Sequence, residues 1–107
     1  MYMIKNDFEA VKMYLEKAMR IAKAHDLRFM QMTLYQSFAK YNAELMNIYK
    51  DNAQELAQAS AEMYNKAIKL SQNLLLTVYE TAYKKELTAF NVSCQLKKIN
   101  ISLPAED

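Results

Sequence analysis

No glycine occurs among the 107 residues, and proline occurs once, at Pro104. Glycine supplies the positive-φ conformations of tight turns, bulges and helix C-caps. Without it the two-residue type I′ and II′ hairpins are hard to close, which argues against an all-β fold. It also removes the glycine-rich loops that cradle phosphates in nucleotide-binding folds. Cysteine occurs once, at Cys94. An internal disulfide and a cysteine-based metal site are therefore excluded, and a reducing compartment is expected. No long apolar run is present. The longest aliphatic stretch is Leu74-Leu75-Leu76, far short of the roughly 20 residues of a membrane span. The opening Met1-Tyr2-Met3-Ile4-Lys5-Asn6-Asp7-Phe8 lacks the apolar core of a signal peptide. These features predict a cytoplasmic protein.

Charge of one sign is missing too. The formal net charge is +2, from 14 basic and 12 acidic residues. The first 50 residues carry eight basic against five acidic side chains, and the remainder six against seven. Lys5, Lys12, Lys17, Arg20, Lys23 and Arg28 fall in the first helical region, but Glu9 and Glu16 interrupt them. No clean basic stripe forms, and no glycine turn marks a helix-turn-helix. Nucleic acid is thus a disfavoured partner, kept as a second alternative.

Catalytic equipment is equally sparse. His25 is the single histidine. Ala22 stands three residues before it, so the Glu-x-x-His motif of di-iron bundles does not occur, and a His-x-x-x-His pair is impossible. A haem held by His25 and a methionine is outweighed by the ordinary use of methionine in cores. Cys94 and His25 lie 69 positions apart in the sequence, and no local arrangement activates a nucleophile. We expect no enzyme activity, no cofactor and no metal. The pairs Glu16–Arg20, Glu62–Lys66 and Glu80–Lys84, each at i, i+4, mark solvated helix faces.

What is present is helical periodicity. Just over half of the residues are hydrophobic, at 52%, enough for a core and too many for a disordered chain. Ile4, Phe8, Val11, Leu15, Ala18, Ala22, His25, Phe29 and Met32 alternate at spacings of four and three. Asn6 with Glu9 fits a capping box. The phase shifts near Ala24-His25-Asp26, where Asp26 can cap a second helix. A new stripe then runs through Leu27, Met30, Leu34, Phe38, Tyr41, Leu45 and Ile48. It continues past Lys50-Asp51-Asn52 through Leu56, Ala59, Met63, Ala67, Leu70, Leu74 and Val78. An unbroken helix from Leu27 to Asn91 would be on the order of 100 Å long. Either it breaks near Asp51 or it belongs to an oligomeric coiled coil, and the sequence does not choose between them; Ser71-Gln72-Asn73 is a weaker boundary candidate. The expected fold class is all-α: an antiparallel bundle of three to four amphipathic helices, at about Asn6–Ala24, Leu27–Lys50 and Asn52–Asn91, or an elongated helical hairpin.

The bundle is expected to occupy residues 1–91 and an extended tail residues 92–107. Val92, Cys94 and Leu96, then Ile99, Ile101 and Leu103, alternate with polar residues at period two. Such a tail can lie in a groove of its own domain, the commoner arrangement, or pair with another chain. Its expected role is in binding rather than in folding, with Ala105-Glu106-Asp107 disordered.

Eight methionines and eight tyrosines are a surplus, and both residue types are favoured where proteins meet. Met30, Met32, Tyr35, Tyr41, Met46 and Tyr49 spread around more than one face of the second helix, whereas a lone short bundle buries one face well. The candidate interaction surface is therefore Met30, Tyr35, Tyr41, Met46, Tyr49, Val92, Leu96, Ile99 and Ile101. The functional expectation is a non-enzymatic, self-associating helical interaction protein: an adaptor, chaperone or small inhibitor, with a protein partner and homo-oligomers. Residues 51–73, rich in Ala, Gln and Asn, resemble in composition the helices of phasins, which coat polyester storage granules. The likeness covers under a quarter of the chain and has no motif. It implies, as the alternative, an amphipathic coat on an apolar granule or lipid surface.

Overall fold

The computed structural model describes residues 5–101, with side chains from Phe8 onward. Within them the chain forms four α-helices and no strand: α1 (Lys5–Ala24), α2 (Arg28–Ile48), α3 (Ala53–Asn73) and α4 (Thr77–Leu96). A single 3-10 turn, Lys50–Asn52, joins α2 to α3. Each helix packs antiparallel on the next, and the α2–α3 interface is the most extensive. The extents are 36 × 34 × 22 Å with a radius of gyration of 14.0 Å, close to the ~13 Å of a compact 100-residue domain. The architecture is the antiparallel bundle, not the elongated hairpin. Ile4, Leu103 and Ala105–Asp107 lie outside the described residues.

The long central stripe breaks both near Asp51 and near Ser71, so the span Asn52–Asn91 is two helices rather than one. Near Asp51 the break is the 3-10 turn, entered at Tyr49 with φ −99° and ψ 75°. Asn52 takes the N-cap position of α3, but its side chain makes no capping hydrogen bond. Near Ser71 the helix ends at Asn73. Lys5 is already helical, so Asn6 lies inside α1 rather than capping it.

Asp26 does not cap α2 either. It has φ 53° and closes the end of α1 instead. The amide of Leu27 donates to the Ala22 carbonyl at 2.8 Å, and that of Asp26 to Lys23 at 3.3 Å. This is the paired 6→1 and 5→2 bonding of a Schellman motif. The same pattern ends α3, with Leu75 at φ 57°, and α4, with Lys98 at φ 61°. Three helices thus end in a left-handed residue, and none of the three is glycine.

The core falls into three clusters. The first lies wholly between α1 and α2: Leu15, Ala18, Met19 and Ala22 against Leu34, with Met30, Tyr35, Phe38 and Tyr41 at its border. The second joins Met32 of α2, Ala67 and Ile68 of α3, and Tyr83 of α4. The third joins Met46, Ala57 and Cys94, with Phe90, Ile99 and Ile101 packed against it. No described residue of α1 belongs to the second or third cluster. The molecule is a three-helix core of α2, α3 and α4 with α1 laid against α2.

Small residues line the α3 side of the α2–α3 contact. Ala57, Ser60, Ala61, Ala67 and Ser71 are all buried. The Ser60 hydroxyl donates to the Ala39 carbonyl at 2.6 Å, satisfying a buried polar atom across the interface. The Ala-rich face of the 51–73 stretch is therefore spent inside the bundle.

Residues 92–96 are a correction. They were expected to be extended, yet α4 continues through them to Leu96. The alternation of Val92, Cys94 and Leu96 has a helical cause. Residues two apart on a helix point about 200° apart, so a helix apolar on two opposite faces also alternates at period two. Cys94 faces the core, while Val92 and Leu96 face away from it.

Candidate interaction surface

Nine residues were expected to form an exposed surface, and the fold takes up most of them. Met46 is buried at 4% exposure in the third cluster. Met30, Tyr35 and Tyr41 are half-buried against the α1–α2 cluster. Phe8 meets Tyr41 edge to face, at 6.0 Å between ring centroids. Ile99 and Ile101 pack on the third cluster of their own chain. Around them Asn100 and Gln54 hydrogen-bond each other through backbone and side-chain groups, and the Lys97 ammonium donates to Asn47 at 2.8 Å. Tyr49, Val92 and Leu96 are exposed.

The reasoning from two apolar faces of α2 thus meets a different outcome. Both faces are buried within one chain, one by α1 and one by α3 and α4. Apolar side chains that do face solvent stand on α4, at Val78, Val92 and Leu96, and on α1, at Met13, Tyr14 and Ile21.

The inner stripe of α4 is Tyr83, Leu87, Phe90 and Cys94. Beside it sits a polar knot centred on Glu86. Its carboxylate accepts two hydrogen bonds from Gln36 Nε2, at 3.0 and 2.8 Å, and one from the Tyr64 hydroxyl at 3.5 Å. Lys40 approaches to 3.8 Å. Burial and the neighbouring Glu86 push the Tyr64 phenol up to about 12. Burial likewise raises the Tyr83 phenol, with a smaller contribution from Glu86. The Tyr83 hydroxyl is buried with no hydrogen-bond partner among the described residues.

The outer face of α4 is a row of exposed residues, Val78, Ala82, Lys85, Ala89, Val92 and Leu96. Their spacings are four, three, four, three and four, the period of a coiled-coil seam. Val78 is 81% exposed, Val92 49% and Leu96 82%. Leu75, in the turn three positions before Val78, is 87% exposed. Its sequence position continues the alternation. The row is flanked by the Glu80–Lys84 ion pair at 2.9 Å, which draws the Glu80 carboxyl below its ordinary value through hydrogen bonds from Lys84 and Gln72. Sequence reasoning named Val92 and Leu96 of this row but as tail residues, and did not join them to Val78, Ala82 and Ala89, although the spacing from Leu75 to Leu96 is legible in the chain. The period-two signal at Val92 drew those residues into a supposed tail.

Two other features complete the surface. A groove of about 540 Å³ runs along α1, lined by Met13, Tyr14, Lys17, Met19, Arg20 and Phe38. A second cavity of about 620 Å³, lined by Met46, Asn47, Lys50, Ala53, Lys97 and Ile99, lies where the chain leaves α4. Neither converges nucleophile, base and oxyanion donor. Among the described residues no group of three His, Cys, Asp or Glu side chains can hold a metal ion, and no helix is long and apolar enough to cross a membrane. Burial pushes the Cys94 thiol up, away from the thiolate form. His25 is exposed, one residue past the end of α1.

No protein-family model, curated protein sequence or solved structure matches this chain.

Proposed function

We propose that this chain is a non-enzymatic, self-associating helical interaction protein, and that it associates through the outer face of α4. One observation carries the reading. Val78, Val92 and Leu96 stand exposed on one face of a helix whose opposite face is already in the core. A helix apolar on both sides is buried on both sides in stable assemblies. The charges on α4 are mixed, with Glu80 paired to Lys84, so like-charge repulsion does not oppose a second copy.

The coat alternative has less support, because Ala57, Ala61 and Ala67 of the 51–73 stretch are buried in the bundle. Sedimentation equilibrium at tens of micromolar tests the proposal. The wild-type chain is expected to exceed its monomer mass of 12.5 kDa, and Val78→Lys with Val92→Lys to return it to the monomer with unchanged helical circular dichroism. A wild-type monomer at that concentration refutes self-association. Sedimentation with lipid or polymer particles would favour the coat, and binding that falls steeply with salt would favour nucleic acid.

A further inference from the structure

We infer that the cavity where the chain leaves α4 binds a free fatty acid of medium chain length, with its carboxylate between Lys50 and Lys97. The inference does not depend on the self-association reading, since no residue of the exposed row on α4 lines this cavity.

Three pieces of chain assemble the site. Met46 and Asn47 come from the last turn of α2, Lys50 and Ala53 from the 3-10 turn and the start of α3, and Lys97 and Ile99 from the segment that follows α4. The volume of about 620 Å³ falls within the roughly 300–1,000 Å³ of small-molecule sites.

Its walls divide by chemistry. Met46 is 4% exposed and belongs to the third cluster. Ala53 and Ile99 are half-buried and pack against the same cluster, so the apolar wall continues the core. Asn47, Lys50 and Lys97 are exposed and form a polar rim whose side chains all carry N–H donors. No carboxylate lines the cavity, and among the described residues neither lysine has an ion-pair partner. The Lys97 ammonium is held at the rim by its 2.8 Å bond to Asn47, which leaves N–H groups for a ligand. Its charge reaches the buried Cys94 thiol, where it opposes the effect of burial. The groove along α1 differs, because Glu16 stands there beside Lys17 and Arg20 and offsets them.

An apolar wall that meets two uncompensated ammoniums matches a molecule with one anionic end and a hydrocarbon body. A small anion would leave Met46, Ala53 and Ile99 wet, and a plain hydrocarbon would leave both lysines unused. The carboxylate accepts charge-assisted hydrogen bonds from Lys50 and Lys97, while the alkyl chain covers the apolar wall. The flexible thioether of Met46 adapts to such a chain. The volume admits one alkyl chain and is too small for a two-chain phospholipid.

Titration of the full chain with decanoate below its micelle concentration, followed by calorimetry and methyl NMR, tests the site. The methyl signals of Met46, Ala53 and Ile99 are expected to shift together and to saturate. Octanoate, two methylenes shorter, is expected to bind roughly ten-fold more weakly. Decanol, which lacks the charge, should bind several-fold more weakly than decanoate. Lys50→Gln and Lys97→Gln should each weaken decanoate about two- to five-fold at low salt, with helical circular dichroism unchanged. The absence of saturable shifts at those three methyls overturns the inference, as does decanol binding as tightly as decanoate. A double Lys50→Gln, Lys97→Gln variant that binds decanoate like the wild type overturns it too. Decanoate that shifts the methyls of Val78 and Val92 instead places the acid on the α4 face and equally overturns it.

Discussion

Lys98 sits at φ 61° in a chain that has no glycine to place there. The left-handed region brings Cβ against the following carbonyl, at a cost of roughly 1–2 kcal/mol for an ordinary L-residue. Asp26 and Leu75 bear the same strain. The backbone bonds of the three Schellman ends hold them there, satisfying carbonyls that a helix otherwise leaves open. Lys98→Gly is expected to raise stability by about 0.5–1 kcal/mol, part of the relieved strain being offset by the freer unfolded chain. The urea midpoint should rise with no change in slope. A second residue-scale consequence lies with Tyr64. Its phenol is neutral in the fold up to about 12, against an ordinary value of 10.0. A raised value contributes stability below pH 10 that is lost as pH rises toward 12. The loss amounts to at most about 1.4 kcal/mol for each pH unit crossed. Unfolding curves between pH 9 and 12 should show this decline, and Tyr64→Phe should flatten it.

At the scale of elements, α4 is where the sequence misleads and instructs at once. Removal of everything from Val92 onward was expected to spare folding and abolish binding. In the structure it takes Cys94, Ile99 and Ile101 out of the third cluster. Burying such side chains is worth up to about 1.5–3 kcal/mol each, against total stabilities of about 5–15 kcal/mol. The truncated chain should melt more than about 10 °C lower, or fail to fold cooperatively, in a thermal scan followed by circular dichroism. The break near Asp26 was legible because a phase shift interrupts a 3.6-residue rhythm, and such interruptions are local; at Asp51 the rhythm runs on unbroken, and only the length of the resulting helix spoke for a break. What covers each face is not local. Met46 and Val92 are both apolar residues at helical spacing, yet the third cluster buries the first and solvent surrounds the second. Periodicity states that a face is apolar; only the packing of distant helices decides which faces meet. Of the candidate surface, the α2 residue Met46 is taken into the core for that reason, while Val92 and Leu96 of α4 stay exposed.

On the scale of the whole molecule, each helix packs on the one that follows it in sequence. Contacts between sequence neighbours cost little loop entropy, and folds built from them form quickly. The knot at Glu86 adds the longer connection, tying α4 to Gln36 and Lys40 of α2 and to Tyr64 of α3. Buried polar groups of this kind specify which helices meet more than they stabilise the fold. The knot contains no residue of α1. All of α1's buried side chains in the clusters lie in the first, and that cluster has no member from α3 or α4. The turn at Asp26 therefore divides α2, α3 and α4, which share two clusters, from α1, which packs on α2 through the first. Were α1 to swing away about that turn, the trio would keep two of its three apolar centres, and Leu34, Phe38 and Tyr41 would become an open trough along α2.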